Sequence, residues 1–120
     1  MTDAETLSGW LAAVVLPEDH PGHGPLRAAR RAPSADSLCE LGVTLMSHGP
    51  ASLGQAAFRH ATLLDPASAR AHGNLGSALK AAGDLVAAEL HLAQSVALDP
   101  ARAASWAALA DLRSRRGDYA

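Results

Sequence analysis

Ser68–Ala101 reads SARAHGNLGSALKAAGDLVAAELHLAQSVALDPA, and this stretch decides the fold. Ser68 follows Pro66 closely and is placed as an N-cap, since its hydroxyl can accept from an unpaired amide of a first helical turn. Leu75 and Leu79 stand four apart on one helical face. Gly83 ends that helix, where a left-handed residue costs little. Asp84 caps a second helix, in which Leu85, Ala88, Leu92 and Val96 recur at intervals of three and four as an apolar stripe. Pro100 then stops it. The stretch is a hairpin of two helices.

A shift of 34 residues superimposes the plan on its neighbours. Leu41, Leu75 and Leu109 align, as do Gly42 and Gly76, with Ala110 in the third place. Gly49, Gly83 and Gly117 align, and Leu64-Asp65-Pro66 falls on Leu98-Asp99-Pro100. Ala67 and Ala69 fall on Ala101 and Ala103. The first copy predicts helices over about 35–47 and 52–64. The chain divides into an N-terminal part, 1–33, and repeats over 34–67, 68–101 and, in part, 102–120.

Composition agrees with an all-α protein. Of 120 residues, 28 are alanine, the best helix former, and only 3% are aromatic. The net charge of −2 offers no basic face to neutralise phosphates, so nucleic acid is not an expected partner. The lone Cys39 allows no internal disulfide and fits a reducing cytoplasm. No Lys or Arg precedes the apolar run from Leu11 to Leu16, so a secretory signal is not expected, and no run approaches a membrane span.

The repeated pattern resembles the tetratricopeptide repeat, W-x₂-L-G-x₂-Y, then A-x₃-F, then P. The second copy gives His72, Leu75, Gly76, Leu79, Ala88, Leu92 and Pro100 at those places. The first gives Leu38, Leu41, Gly42, Leu45, Gly54, Phe58 and Pro66, and the third gives Trp106, Leu109, Ala110 and Arg113. The resemblance spans about 34–120. It departs from the family at Gly54, which weakens its helix by about 1 kcal/mol against alanine, and at Arg113, where an aromatic normally packs. Gly117-Asp118-Tyr119-Ala120 looks like the start of a further second helix, so a longer parent protein is expected.

The resemblance implies a solenoid of antiparallel helix pairs in a right-handed superhelix, with each first helix lining a concave, partner-binding face. Carried over residue by residue, that face comprises Asp36, Cys39, Glu40, Val43, Met46 and Ser47 in the first copy. The second copy supplies Arg70, Gly73, Asn74, Ser77 and Lys80, and the third Ala104, Ala107, Ala108, Asp111 and Arg115. The family's carboxylate clamp of Lys and Asn falls on Cys39, Val43, Gly73 and Ser77, and is therefore missing. Asn74 matches one rung of the asparagine ladder of O-linked N-acetylglucosamine transferases, whose other rungs are Glu40 and Ala108 here. Bacterial relatives fuse such repeats to glycosyltransferase domains, including ones that modify flagellin. The expected function is a protein–protein interaction module that binds a peptide or an amphipathic helix and recruits substrate for such a parent. The alternative is self-association as a homodimer, through the edge at Trp106, Leu109 and Leu112 or through the N-terminal helix.

No catalytic, metal or cofactor site is expected. His20 and His23 lie close together in a Pro/Gly loop, but no Cys or carboxylate set completes a zinc geometry, so a solvated loop is the plainer reading. His48, His60, His72 and His91 read as surface or packing residues. Cys39 has no adjacent base and reads as a small, half-buried helix residue. Gly73-x-x-Gly76 reads as close helix packing, not a phosphate loop. The runs Arg27-Arg30-Arg31 and Arg113-Arg115-Arg116 read as solvated faces, the second also complementing a helix C-terminus. In the N-terminal part, Leu7, Trp10, Leu11, Val14 and Val15 make one helical stripe ended by Pro17, with Thr2 and Glu5 as a capping box. A short helix over about 26–32 follows the loop. This part is expected to cap the stack or to be a degenerate repeat.

Overall fold

A computed structural model of the chain describes residues 6–117. They form seven α-helices and no strand: α1 Leu7–Ala13, α2 His23–Arg31, α3 Ala35–His48, α4 Ala51–Leu64, α5 Ala69–Ala81, α6 Leu85–Leu98 and α7 Ala103–Arg116. The protein is all-α. The Thr2–Glu5 capping box and the segment Asp118–Ala120 lie outside the described residues.

The 34-residue period holds in the backbone itself. Gly49, Gly83 and Gly117 each follow a first helix and take φ of 79°, 89° and 76°, left-handed values that any Cβ would strain. The two Asp-Pro corners are superimposable. Asp65 and Asp99 cap α4 and α6 at φ/ψ of −137/89° and −141/90°. Each carboxylate accepts from the amide two residues on, Ala67 or Ala101, at 3.1 Å. Ser68 and Asp84 cap α5 and α6 as the sequence predicts, accepting from Ala71 and Ala87.

Packing repeats as well. α3 pairs with α4 and α5 with α6, while α3, α5 and α7 lie side by side in one row. A methyl at Gly42 would stand 2.3 Å from the Phe58 ring, and one at Gly76 would stand 2.6 Å from Leu92 Cγ. Gly42 and Gly76 hold the same place in successive copies, as do Phe58 and Leu92. The bare backbone of the first helix therefore receives the largest side chain of the second. Ala110, at the third such place, is exposed. Gly54 is more than a weak helix residue. The Met46 thioether lies 2.9 Å from where its Cβ would be, and the Gly42 carbonyl 3.0 Å, so the missing methyl is the room Met46 occupies.

Polar seams tie each copy to the next. His72 donates from Nε2 to the Pro66 carbonyl at 2.9 Å, and Trp106 donates from its indole to the Pro100 carbonyl at 2.8 Å. Histidine thus does in the second copy what the repeat's tryptophan does in the third. Leu38 has no such donor, and the Ser37 hydroxyl donates to Ala32 instead, at 3.1 Å. A second seam joins three helices. Arg102 Nε donates to Ser105 Oγ (3.1 Å), Ser105 to Ser95 Oγ (2.6 Å), and Ser95 to the Ala69 carbonyl (2.7 Å). Both serines are buried, and Gly73 leaves the space for them.

The N-terminal part departs from expectation in two places. α1 stops at Ala13, not at Pro17, because the Arg30 guanidinium takes the carbonyls of Leu11 and Val14, both at 2.9 Å, and so ends the ladder early. Val14 and Leu16 continue buried in extended chain, while Val15 turns 84% outward. α2 starts at His23, ahead of the predicted 26, because the loop is not merely solvated. His20 Nδ1 accepts the Gly22 amide at 2.9 Å and its Nε2 donates to the Gly49 carbonyl at 2.6 Å. His23 Nε2 donates to Pro17 at 2.6 Å. Thr6 caps α1. The part leans on the first hairpin through α2 and through Trp10, whose ring lies 4.9 Å from that of His60. Arg30 is likewise structural, where the sequence suggested a solvated face.

The edge offered for self-association also needs correction. Leu109 and Leu112 are 1% and 0% exposed, packed inward from α7, which leaves Trp106 as its one exposed large apolar residue among the described residues. None of the described helices is long and apolar enough to cross a membrane.

The histidines give the fold a pH dependence. Pro66 offers only a carbonyl, so His72 Nε2 carries its proton. His72 Nδ1 lies 3.1 Å from His91 Nδ1, so one of these ring nitrogens donates and the other accepts. Burial, then His72 and Arg59, pull the His91 pKa down, and burial, then Arg59, lowers that of His60. A lowered folded pKa means the unfolded chain binds more protons in acid. The stability this linkage protects is complete above the unfolded value of about 6.5 and is lost as pH falls through it. Urea midpoints are expected to drop between about pH 7.5 and pH 5.5, and substituting both His60 and His91 by Gln flattens that drop. An equal drop in the double variant removes these two residues as its cause.

Candidate functional site: the inner row of helices

Helices α3 and α5 are backed by α4 and α6, and α7 packs on α5 and α6, so their free faces form one row. On α3, Asp36, Glu40, Val43 and Ser47 follow at spacings of four, three and four, and on α5 Arg70, Asn74 and Ser77 do the same. Those spacings put each set on a single stripe.

The charged members of the row pair with one another. Arg70 reaches back one copy to Asp36 at 3.4 Å and Glu40 at 2.8 Å. Lys80 reaches forward to Asp111 at 2.8 Å, and Arg115 closes on the same carboxylate at 3.2 Å. The Glu40 hydrogen bond raises the Arg70 pKa, and the Lys80 hydrogen bond lowers that of Asp111. Glu89 of α6 similarly bonds Arg116 and lies 3.7 Å from Arg113. These pairs are exposed, so each adds little to stability, but together they neutralise the row.

Between the first two copies the row opens into a cavity of about 210 Å³. It is lined by Val43, Met46 and Ser47 of α3, Phe58 of α4, and Asn74, Ser77 and Ala78 of α5. Of the residues predicted for the partner face, the structure brings Val43, Met46, Ser47, Asn74 and Ser77 to this one place. It sets Asp36, Glu40 and Arg70 to one side and Lys80, Asp111 and Arg115 to the other, as ion pairs. Phe58 and Ala78 were not predicted for this face, and both are buried.

Cys39 requires correction as a partner-face residue. It is 0% exposed, beneath Arg70 and Asn74 of the neighbouring copy. Burial pushes its thiol pKa up, against the pull of Arg70 and of a hydrogen bond with Asn74. A thiol held neutral is no nucleophile. Gly73 also leaves the face, buried under Ser105 and Arg102.

A larger cavity, about 630 Å³, lies between α1 and α2 beside Leu7, Leu11, Ala12 and Pro33. Its polar wall is Ser8 and Arg30, and the Arg30 guanidinium is already committed to backbone carbonyls through Nε and Nη2. Among the described residues, no three His, Cys, Asp or Glu side chains converge as a metal site. The row of α3, α5 and α7 supplies an apolar hollow with amide and hydroxyl groups at its rim. Compared with known proteins, the chain matches no family model and no curated sequence.

Proposed function

We propose that this chain is a tetratricopeptide-type protein-interaction module whose α3–α5–α7 row receives a segment of another polypeptide. The observation that carries this is the hollow where exposed Val43 and Ser77 and half-buried Met46 and Asn74, from two copies, converge. In this reading the hairpins continue the right-handed superhelix of that family, and the row is its concave face. The chain works in the cytoplasm as the recruiting part of a larger protein, such as a bacterial glycosyltransferase, with no cofactor and no catalytic group of its own. The paired charges support a polypeptide ligand over nucleic acid, since no unpaired basic stripe is offered along the row.

The test uses ¹⁵N-labelled protein and peptides enriched on it from a random-peptide phage library. Amide shifts are expected along α3 and α5, centred on Val43, Ser47, Asn74 and Ser77. Shifts confined to the outward faces of α4 and α6, at Leu63, Val86 or Leu90, contradict the proposal.

A further inference from the structure

We infer that His72 and His91 hold one soft monovalent metal ion of the copper(I) type between their Nδ1 atoms, tying α5 to α6. The ion is a structural tie and takes no part in a reaction. This goes beyond the interaction reading and does not depend on it.

The two rings meet end to end. Their Nδ1 atoms are 3.1 Å apart, their centroids 5.4 Å apart, and their planes differ by 20°. The centroid distance exceeds the nitrogen distance by one ring radius on each side, so both in-plane lone-pair directions lie along the line joining the rings. A proton fills that line as a hydrogen bond. An ion that takes two ligands in line can fill it instead. Metal–imidazole bonds of about 2 Å set the nitrogens about 4 Å apart, so the rings must part by about 1 Å. His72 stays in place, because its Nε2 donates to the Pro66 carbonyl at 2.9 Å, the kind of bond that fixes the ring of a metal-bound histidine. His91 is the half-buried partner and swings outward. A hollow of about 260 Å³ beside Pro66, Gln94, Ala97 and Leu98 opens on His72 and lets the ion in. Burial, then His72 and Arg59, hold His91 below the ordinary histidine range, so it is neutral and able to bind at neutral pH.

The surroundings select the ion. Among the described residues no third His, Cys, Asp or Glu joins the pair, so the four-ligand shell of a structural zinc is missing. A tetrahedral ion would also bend the line between the nitrogens and turn His72 off Pro66. Arg59 acts on His91 through space, so a second positive charge on the ion costs more than one. Single charge, two neutral imidazoles and an in-line approach fit copper(I) and silver(I). When the ion enters, the proton between the nitrogens leaves, and the ring that carried it takes one up from solvent at its other nitrogen. Nothing is oxidised or reduced.

The pair belongs to one copy. One period earlier the same places hold Leu38 and Ala57. His72 stands where the repeat pattern has tryptophan, and Trp106 makes the matching bond to Pro100 with an indole that has no lone pair to offer. A donor to the corner carbonyl therefore accounts for His72 Nε2 and leaves Nδ1, with His91 facing it, to the ion.

The experiment titrates silver(I), which shares the charge and the in-line preference, into the ¹⁵N-labelled full chain and follows long-range ring-nitrogen spectra and thermal melts. A Cys39→Ala variant, treated alike, removes the one thiol that competes for the ion. One ion per chain is expected in that variant, with Nδ1 of His72 and His91 shifted, the other histidines unmoved and the melting temperature raised. Copper(I), kept reduced without oxygen, is expected to shift the same two nitrogens. His91→Ala, which copies Ala57, and His72→Trp, which copies Trp106, are expected to weaken binding at least about tenfold, and His23→Gln by less than about twofold. No silver(I) bound, shifts confined to other side chains, or binding undiminished in His91→Ala overturns the site. Zinc(II) held as tightly as silver(I) by the same nitrogens, or copper(I) that leaves them unmoved, overturns the assignment of the ion.

Discussion

Gly73→Ala is expected to lower stability by about 2–4 kcal/mol, while Gly24→Ala changes it by less than about 1 kcal/mol. Both glycines are helical, so alanine gains backbone advantage at each, offset at Gly24 by the following Pro25, whose Cδ crowds a Cβ on the residue before it. They differ in what the new methyl meets. At Gly24 nothing lies within 4 Å. At Gly73 it meets Ser105 Oγ at 2.5 Å, with Ser95 Oγ and Arg102 Nε both at 3.0 Å. Those atoms cannot retreat without breaking the chain of donors from Arg102 through both serines to the Ala69 carbonyl. Overpacking costs about 1–3 kcal/mol, and a buried hydroxyl left unpaired a similar amount. Urea midpoints of the two variants check this directly. Equal shifts in the same direction would mean that the seam between α5, α6 and α7 is not as tight as described.

Phe58→Ala is expected to cost about 3–5 kcal/mol, a large part of the stability of a chain this size. The ring is 3% exposed and lies on Gly42. It also floors the inner hollow, so peptide binding falls with it. The sharper measurement is a double-mutant cycle. Gly42→Ala alone forces a methyl to 2.3 Å from the ring and destabilises. In the Phe58→Ala background that methyl enters the vacated space and adds helix propensity, so the same change is expected to stabilise. Additive effects from the two single substitutions contradict the packing of Phe58 on Gly42.

Much of this was legible in the sequence, because the period constrains local geometry. Gly49, Gly83 and Gly117 each had to take a positive φ, and the two Asp-Pro corners had to match, since both depend on a few neighbouring residues. Features set by distant contacts were not legible. α1 ends at Ala13 because Arg30, from another helix, takes its last carbonyls. Cys39 is hidden because α5 leans over it, and a stripe on one helix does not reveal its neighbour's angle. The ion pairs sit between these cases. Asp36 and Arg70 are opposite charges one period apart, so the alignment of copies already sets them side by side. The Met46–Gly54 fit lies beyond sequence reading, since a missing methyl shows as a propensity loss and not as space for a side chain.

The account depends on the first two hairpins being equivalent units whose first helices lie side by side. Nuclear Overhauser contacts in the labelled protein test this most directly. Phe58 ring protons should contact Gly42 and Leu92 methyls should contact Gly76, in equal measure, with Val43 methyls reaching Ser77 across the row. Contacts present in one hairpin and missing from the other, or no approach of Val43 to α5, would contradict it.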